Sequence, residues 1–307
     1  MEILVAKHAG FCFGVKRAID IAQEVAQKNK GKEIYVFGQL VHNERVIDDL
    51  QKKGIIFADS IADIPQNAIT VLRAHGEPGT TYAQLQEKHI VKNSNLNDAT
   101  CPLVTLVHNV AIKLKQNGYE VVLFGKKDHP EGIGIRYHLK GEDTFFIEKS
   151  TQGKQFIDYV SKHNLPKVAI ISQTTMSVSG YKELIESINT LSDRKFEEAH
   201  LSLSNLSKPY IFVDTICNPT KQRQSGTEEI AKQADIMIII GGLNSSNSKE
   251  LAAKAKSFGV ETHFIQDASQ LEKKWFTGKE KIGVSAGAST PDITINEVVS
   301  RIKEIRQ

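Results

Sequence analysis

Short, almost wholly apolar runs alternate along this chain with longer segments in which apolar residues recur at spacings of three and four. The segments V-K-R-A-I-D-I-A-Q-E-V-A and T-E-E-I-A-K-Q-A have this helical spacing. The apolar runs have the length and β-branched composition of buried strands. They are E-I-L-V-A, E-I-Y-V-F-G, A-I-T-V-L-R, Y-E-V-V-L-F-G, K-V-A-I-I-S, Y-I-F-V-D-T, I-M-I-I-I-G-G and K-I-G-V-S-A-G. Strands that alternate with helices form parallel sheets with helices on their faces, so the pattern predicts an α/β fold.

Polar, turn-forming motifs begin where several of these predicted strands end. Q-L-V-H-N follows Y-V-F-G, A-H-G-E-P follows V-L-R, and K-K-D-H-P-E-G follows V-V-L-F-G. Q-T-T, G-G-L-N-S-S-N and S-A-G-A-S stand in the same relation to later strands. Ligands of open α/β sheets bind outside the carboxyl ends of the strands, so these loops are predicted to form the functional site.

Length and charge exclude several classes of protein. A chain of 307 residues can bury a large core, and roughly two or three domains are expected. Its 39 Lys and Arg against 36 Asp and Glu give no electrostatic case for binding nucleic acid or an anionic membrane. No apolar run approaches the ~18–20 residues that span a bilayer. The amino-terminal segment resembles a signal peptide only loosely, so the predicted location is the cytoplasm.

Motifs for nucleotide binding and for serine hydrolases are missing. The chain contains neither G-x-x-x-x-G-K-[ST] nor G-x-S-x-G. In E-G-I-G-I-R-Y the third glycine position of a dinucleotide fingerprint is occupied by Tyr137. These absences argue against a P-loop enzyme, a dinucleotide-dependent enzyme and an α/β hydrolase.

The chain has three cysteines, Cys12, Cys101 and Cys217, roughly one for each hundred residues. Each stands among turn-forming residues, in G-F-C-F-G, D-A-T-C-P and D-T-I-C-N-P. Any one of them could be a small buried hydrophobe, and a zinc ligand or a lone nucleophile also stays open. No C-x-x-C pair is present. Three thiolates from three units would suit an iron–sulfur cluster with one iron open to a substrate, so the spacing favours a cluster.

Three of the ten histidines, His42, His75 and His129, lie just past predicted strands beside small or polar residues. Singly, each is more typical of a structural residue, but their recurrence at equivalent strand ends favours a shared site. Glu131 is the carboxylate of the H-P-E-G loop. It could hold or pass a proton if the site is shielded from water, and an exposed loop residue is the equally open alternative.

Hydroxyl and amide donors cluster near glycine-rich turns late in the chain. Ser245, Ser246 and Asn247 follow G-G-L-N, and Ser289 follows S-A-G-A. Backbone N–H groups at such turns bind anions, and side-chain hydroxyls add further donors. Ser and Asn also favour helix N-caps, a role that is compatible with anion binding.

Together these motifs resemble the 4-hydroxy-3-methylbut-2-enyl diphosphate reductase family, the last enzyme of the methylerythritol phosphate route to isoprenoids. A-H-G, D-A-T-C-P, H-P-E-G, S-Q-T-T, D-T-I-C, N-S-S-N-S and S-A-G-A-S occur in the family's order. The resemblance begins at G-F-C-F-G-V and covers essentially the whole chain.

The resemblance implies a trefoil of three pseudo-repeated α/β units with parallel sheets around a central iron–sulfur cluster. Cys12, Cys101 and Cys217 match the three ligands of a [4Fe–4S] cluster, which would be seen as [3Fe–4S] after loss of its apical iron. The amino-terminal strand within residues 1–13 is able to pack with the third unit. The predicted units are residues 1–98, 99–213 and 214–307.

The resemblance also implies the reaction, which is reductive dehydroxylation of the substrate to isopentenyl and dimethylallyl diphosphate. Glu131 matches the proton donor, with Thr174 beside it in S-Q-T-T as a catalytic and substrate-binding residue. The alcohol oxygen would bind the apical iron, and electrons would come from ferredoxin or flavodoxin. No nucleic acid or membrane partner is expected. The other substrate-binding matches are His42, His75, His129, Ser245, Ser246, Asn247 and Ser289.

The chain departs from the family pattern in two places. E-P-G-T follows A-H-G where many relatives have an apolar residue and Ser, and Leu191 to Lys208 is longer than usual. The second segment is predicted to be a loop or surface insertion. Two other functions stay open on the residues alone: an iron–sulfur sensor or carrier without turnover, and a metal-free protein that binds a phosphorylated metabolite.

Overall fold

Parallel strands and helices alternate through the computed structural model, which describes residues 2–204 and 206–305. The strands are β1 (Glu2–Val5), β2 (Ile34–Phe37), β3 (Ile55–Ala58), β4 (Ile69–Leu72), β5 (Leu96–Asp98), β6 (Glu120–Phe124), β7 (Phe146–Ile147), β8 (Val168–Ser172), β9 (Glu197–Glu198), β10 (Tyr210–Val213), β11 (Ile236–Ile240), β12 (Glu261–Ile265) and β13 (Lys281–Ala286). The helices are α1 (Phe13–Lys28), α2 (Glu44–Gln51), α3 (Gly79–Glu87), α4 (Pro102–Gln116), α5 (Pro130–Tyr137), α6 (Gly153–Lys162), α7 (Val178–Leu191), α8 (Asn218–Ala231), α9 (Ser246–Lys256) and α10 (Asp292–Ile305). This alternation confirms the predicted α/β class.

The strands form three sheets, and every strand pair in them is parallel. The first sheet has the order β3-β2-β4-β5, the second β7-β6-β8-β10-β9, and the third β12-β11-β13-β1. In each sheet a strand (β2, β6 or β11) lies between the two strands that follow it in the chain, so the three sheets have the same strand order. The third sheet is completed by β1 from the start of the chain, which pairs in register with β13, Glu2 opposite Lys281.

Central strands are buried on both faces because helices cover both sides of each sheet. All residues of β8 and β11 are buried, which explains why V-A-I-I-S and I-M-I-I-I read as continuous rather than alternating apolar runs. The strands whose sequences are mixed or very short, such as β5, β7 and β9, give no comparable signal.

The chain passes from one sheet to the next at three equivalent places. After β5 of the first sheet it enters α4, whose Val107 and Leu114 pack with second-sheet residues such as Leu123. After β10 of the second sheet it enters α8, which packs against Met237 of the third sheet. After β1 of the third sheet it enters α1, which packs against first-sheet residues such as Val36. Each unit is therefore held to its neighbour by a shared helix core.

The division into units at 1–98, 99–213 and 214–307 stays a prediction. The chain leaves the first sheet at the end of β5 and the second at the end of β10. The pairing of β1 with β13 places the amino-terminal strand in the third sheet.

The segment from Leu191 to Lys208 differs from a simple surface loop in its described residues, which exclude Asn205. It contains the edge strand β9, which pairs with β10, and its Phe196 and Leu203 side chains are buried in the core of the second unit. Phe196 stands among charged residues in R-K-F-E-E and Leu203 among polar residues in S-L-S, and isolated apolar residues of this kind give no periodic signal.

Within residues 2–204 and 206–305, none of the helices combines the length and the apolar composition needed to cross a membrane.

We expect Gly283→Ala to destabilise the third sheet. A Cβ at Gly283 in β13 would overlap Met237 Sδ and lie 2.6 Å from Ile230 Cγ2. Overpacking of this kind typically costs about 1–3 kcal/mol. Chemical denaturation measures the change in the free energy of unfolding.

Gly226→Ala in α8 is the matched control for this substitution. There the nearest atom to a new Cβ is Ala6 Cβ at 3.9 Å, an ordinary contact. A helix-interior Ala is favoured over Gly by roughly 0.5–1 kcal/mol, so this variant should be as stable as the parent or more so. Equal stability of the two variants would contradict the tight packing of α8 on β13.

Candidate active site

Apart from the cysteines, the predicted site residues follow strands that lie where the winding of each sheet reverses. In the first sheet this point is between β2 and β4, whose loops carry His42 and His75. In the second sheet it is between β6 and β8, followed by His129 and Thr174. In the third sheet this point is between β11 and β13. Such switch points open a crevice, and here three crevices converge on one cavity.

One cavity is lined by all the predicted site residues. A concave site on which a few polar groups converge is typical of small-molecule binding. The predicted residues in its lining are Cys12, Cys101, Cys217, His42, His75, His129, Glu131, Thr174, Ser245, Ser246, Asn247 and Ser289.

Each cysteine is the N-cap residue of a crossing helix. Cys12 precedes α1, Cys101 precedes α4 and Cys217 precedes α8, and all three are half-buried, unpaired thiols. Pro102 and Pro219 stand in the first turns of α4 and α8, where proline is favoured because the N–H it lacks has no helical partner. The N-cap position aims a side chain at the helix N-terminus, where partial positive charge favours a thiolate.

The cavity brings the three thiols together without the close grouping of a single-ion site. Within residues 2–204 and 206–305, the cysteines form no group whose ligand atoms all lie within 4.8 Å of one another. A single tetrahedral zinc ion with bonds of about 2.3 Å would need sulfur atoms about 3.8 Å apart. Three thiol donors that face one cavity also suit an iron–sulfur group, which cysteine thiolates hold.

At two of the three thiols burial outweighs the effect of the helix N-terminus and favours the protonated form. Burial raises the pKa of Cys217 to about 11, against an opposing hydrogen bond from Thr220, whose Oγ1 lies 3.2 Å from the sulfur. Burial also raises the pKa of Cys101. Without metal these two thiols are neutral at pH 7, so binding of iron must release protons.

Gly14 gives the thiols room. An added Cβ at this position would overlap Cys101 Sγ and lie 3.2 Å from Cys101 Cβ and 3.9 Å from Cys12 Sγ. The second glycine of G-F-C-F-G-V is therefore required by the close approach of α1 to the Cys101 loop.

Glu131 is a buried carboxyl group held by the loop after β8. Its side chain is 1% exposed, and Thr174 donates to it twice, from the backbone N to Oε1 at 2.7 Å and from Oγ1 to Oε2 at 2.8 Å. Burial raises its pKa to about 7, although these hydrogen bonds favour the charged form and oppose the rise. Glu131 thus exchanges a proton near neutral pH, as a catalytic acid or base must.

The three predicted histidines form one cluster. The ring centres of His42 and His75 are 4.3 Å apart, and that of His129 lies 5.4 Å from His42 and 5.5 Å from His75. Burial lowers the pKa of His42 to about 4 and that of His129 to about 3, and lowers that of His75 well below its usual value. The rings are neutral at pH 7 and act as hydrogen-bonding groups rather than cations.

His129 is fixed in one tautomer by its own helix. It caps α5, and its Nδ1 accepts a hydrogen bond from the backbone N of Glu131 at 3.2 Å. The ring proton is therefore on Nε2, which is a donor. This arrangement suits an acceptor ligand such as a phosphate oxygen better than a cation.

The third sheet supplies hydroxyl and amide groups at the start of α9. Ser245 caps this helix, and its Oγ accepts from the backbone N of Ser248 at 3.2 Å. Asn247 Oδ1 accepts from the backbone N of Ala288 at 3.0 Å, and Ser289 Oγ donates to the backbone O of His42 at 2.9 Å. Of the four predicted residues, Ser245 is the N-cap, and all four line the cavity, so a cap at this position is compatible with the predicted anion site.

Several buried polar atoms of these residues lack a partner within the described chain: His42 Nε2, His75 Nδ1 and Asn247 Nδ2. The Asn247 amide is oriented by its bond to Ala288, which leaves the Nδ2 group a donor only. The imidazole atoms lie within 4.8 Å of one another and could hold a metal ion. An amide donor cannot bind a cation, so the set as a whole fits an anion with several oxygen atoms.

Sequence reasoning missed residues that support this site. Lys126 Nζ donates to Ser246 Oγ at 3.3 Å, and its backbone N donates to Gln173 Oε1 at 3.1 Å. Arg73, paired with the buried Glu77, helps to lower the pKa of all three histidines. The position of Lys126 directly after a strand end is the one signal that could have identified it.

The chain is similar to proteins of known identity over nearly its whole length. The family model described as LytB protein matches residues 3–303. The 4-hydroxy-3-methylbut-2-enyl diphosphate reductase of a Nitratiruptor species is 37% identical over 307 residues, 100% of each chain. The protein of the same name from Aquifex aeolicus is 36% identical over 305 residues, 99% of this chain and 97% of its relative.

Solved structures agree with this similarity. The E-1-hydroxy-2-methyl-but-2-enyl-4-diphosphate reductase from Plasmodium falciparum matches with a TM-score of 0.82 at 27% identity, over 97% of this chain and 87% of the other. A structure of (E)-4-hydroxy-3-methyl-but-2-enyl diphosphate reductase, the terminal enzyme of the non-mevalonate pathway, matches with a TM-score of 0.64 at 34% identity. That match covers 99% of this chain and all of the other.

We expect Gly14→Ala to impair metal loading without unfolding the protein. The new methyl group would occupy the space of Cys101 Sγ, while Ala is a better helix former than Gly. Iron and sulfide are counted after anaerobic reconstitution, and circular dichroism monitors the fold.

Gly226→Ala, also a helical glycine, should load iron as the parent does because its new Cβ makes only an ordinary contact. Full iron content in Gly14→Ala would show that the thiols do not require their observed approach to α1.

Proposed function

The chain belongs to the LytB protein family, whose curated relatives are 4-hydroxy-3-methylbut-2-enyl diphosphate reductases, and we propose that it carries out this reduction in the cavity between the three sheets. It is an oxidoreductase of isoprenoid synthesis, so the predicted family, α/β trefoil fold and function are confirmed by the full-length relatives and the matching solved structures. The observation that carries the proposal is the convergence of every predicted thiol, imidazole, carboxyl and hydroxyl group on one cavity.

The proposed reaction removes the hydroxyl group of the allylic alcohol. The C–O bond breaks, the oxygen leaves as water, and a C–H bond forms, which consumes two electrons and two protons per molecule. The products are isopentenyl diphosphate and dimethylallyl diphosphate. We propose ferredoxin or flavodoxin as the electron donor.

Cys12, Cys101 and Cys217 would hold a [4Fe–4S] cluster with one iron free of protein ligands. Their thiol donors and their convergence on the cavity support this assignment. Such a cluster supplies electrons one at a time and a Lewis-acidic iron for the alcohol oxygen.

The diphosphate group would be held by the three imidazoles together with Ser245, Ser246, Asn247 and Ser289. The unpartnered nitrogen atoms of His42, His75 and Asn247 support this part of the proposal, since each requires a hydrogen-bonding partner in the buried site. Neutral donors orient the ligand by geometry rather than by net charge, which aligns the reacting carbon with the thiol side of the cavity.

Glu131 would hold the proton that leaves with the hydroxyl oxygen. Its pKa of about 7 leaves a substantial neutral fraction at physiological pH. Thr174 Oγ1 can accept a proton from Glu131 Oε2 and donate its own, because a hydroxyl group is both donor and acceptor. Thr174 would therefore position Glu131 and connect it to the bound ligand.

Location and further partners are also proposed. The three free cysteines are suited to the reducing conditions of the cytoplasm, which we propose as the site of action. The nearly balanced charge supports the absence of a nucleic acid or membrane partner.

Anaerobic purification with iron and sulfide analysis, paired with a turnover assay, tests the proposed function. A reductase yields a brown, air-sensitive protein that consumes the diphosphate substrate with a low-potential electron donor. A sensor or carrier would be brown without turnover, and a metal-free binding protein would be colourless. Either of these two results would overturn the proposal.

We expect Glu131→Gln to keep the iron content and the visible absorption while nearly abolishing turnover. The amide preserves the shape of the group and can still accept from Thr174, but it cannot deliver a proton. Glu250→Gln is the control, because Glu250 is another carboxyl whose pKa burial raises, and it lies outside the lining of the cavity. Full turnover in Glu131→Gln would remove the role assigned to the carboxyl group.

We also expect the pH profile of kcat/KM to fall above about pH 7 as the free enzyme loses the proton of Glu131. Thr174→Val removes a hydrogen bond that favours the charged carboxylate, so the pKa rises and the falling limb should move to higher pH.

Thr227→Val is the control and should leave the falling limb in place, because the Thr227 hydroxyl lies 2.8 Å from Ser285 Oγ and neither residue lines the cavity. A limb that stays where it is in Thr174→Val, or that persists in the residual activity of Glu131→Gln, would assign the titration to another group.

A further inference from the structure

Arg223 is a buried cation that the proposed reaction does not use. It lies in the second turn of α8, its residue is 5% exposed, and its Nε has no partner within the described chain. No carboxylate of residues 2–204 and 206–305 lies within ion-pair distance of it. Burying a guanidinium group without an anion is costly, so a countercharge must come from elsewhere.

The hydrogen bonds of Arg223 join two of the cysteine loops. Its NH1 donates to the backbone O of Pro219 at 2.9 Å, two residues after Cys217. Its NH2 donates to the backbone O of Gly10 at 2.6 Å, two residues before Cys12. The planar fork of the guanidinium group therefore spans the gap between the loop that carries Cys12 and the helix that Cys217 begins.

The groups near Arg223 that become anionic when they bind metal are these same cysteines. Burial lowers the pKa of Arg223, and the charged forms of Cys12 and Cys217 oppose that fall. A cluster bound by thiolates would place lasting negative charge beside the two loops that Arg223 joins. The hydrogen bonds of Arg223 and its lack of a carboxylate partner therefore both indicate the thiolate-bound group as its counterion.

We propose, on the basis of the function proposed above, that Arg223 is the positioning residue and fixed countercharge of the thiolate-bound iron–sulfur centre. A buried positive charge stabilises the reduced, more negative state of the centre relative to the oxidised state, and the low local dielectric strengthens this effect. Arg223 therefore keeps the reduction potential of the centre within reach of its electron donor, and it holds the Cys12 and Cys217 loops at their spacing.

Arg17 provides an internal control in the same chain. It lies in α1, five residues after Cys12, and its NH1 donates to the backbone O of Thr100 at 3.1 Å, beside Cys101. It ties two cysteine loops as Arg223 does, but it is more exposed than Arg223, so solvent screens its charge. Replacing Arg17 removes a similar tie with little change in the buried charge.

The test compares Arg223→Met, Arg223→Lys and Arg17→Met as full-length proteins reconstituted anaerobically with ferrous iron and sulfide. A redox titration followed by electron paramagnetic resonance gives the midpoint potential, and iron release to a chelator gives the stability of the centre. We expect a more negative potential and faster iron release in Arg223→Met. Arg223→Lys should keep the parental potential, since its charge remains, and release iron at an intermediate rate. Arg17→Met should keep the parental potential.

An unchanged potential in Arg223→Met, or an equal fall in Arg223→Met and Arg223→Lys, would overturn the countercharge. Where Arg223→Met assembles no centre, Arg223→Gln replaces it in the comparison. If the centre assembles in Arg223→Lys but in neither Arg223→Met nor Arg223→Gln, the proposal is supported. If it assembles in none of the three, the proposal is overturned. A parent protein that assembles no centre removes both proposals, whereas a loaded, active parent with an unshifted Arg223→Met removes this one alone.

Discussion

The site depends on one topological constraint, the place where the chain leaves each parallel sheet to begin a helix of the next. A parallel strand ends at the ligand-binding edge of its sheet, and the helix that follows begins there with unpaired N–H groups. Because β1, β5 and β10 hold equivalent positions, three such crossings meet. Each crossing residue is a cysteine that caps its helix. The covalent path between the units thus also builds the proposed metal centre.

Burial determines the chemistry of the groups gathered around this centre. Burial keeps the three imidazoles neutral and raises the pKa of Glu131 to about 7. It also leaves the Arg223 guanidinium group without a countercharge from the described residues. Water would erase these differences, since exposed His, Glu and Arg titrate near their ordinary values. One physical cause, the removal of solvent from a crevice between sheets, therefore separates proton donor, neutral ligand groups and fixed charge.

Much of this arrangement could be predicted because the central strands carry a strong local signal. The apolar runs of β8 and β11, and the turn motifs after them, identify both the strands and the site edge. Short edge strands such as β9 pair through the backbone, which leaves no periodic side-chain pattern. Arg223 and Lys126 were harder to assign for a different reason. Their partners, the Gly10 carbonyl and the Ser246 hydroxyl, are distant in the sequence, so only the fold makes their contacts visible.

In D-A-T-C and D-T-I-C an aspartate stands three residues before the cysteine, and the structure gives it the same role in both. Asp98 Oδ1 accepts from the backbone N of Thr100 at 2.9 Å, and Asp214 Oδ1 accepts from the backbone N of Ile216 at 3.2 Å. Each aspartate closes a turn that presents the following cysteine. The loop from β1 to Cys12 has no such aspartate. There Arg223 holds the Gly10 carbonyl instead. A buried arginine from another unit therefore restrains this loop, as a local turn restrains each of the other two.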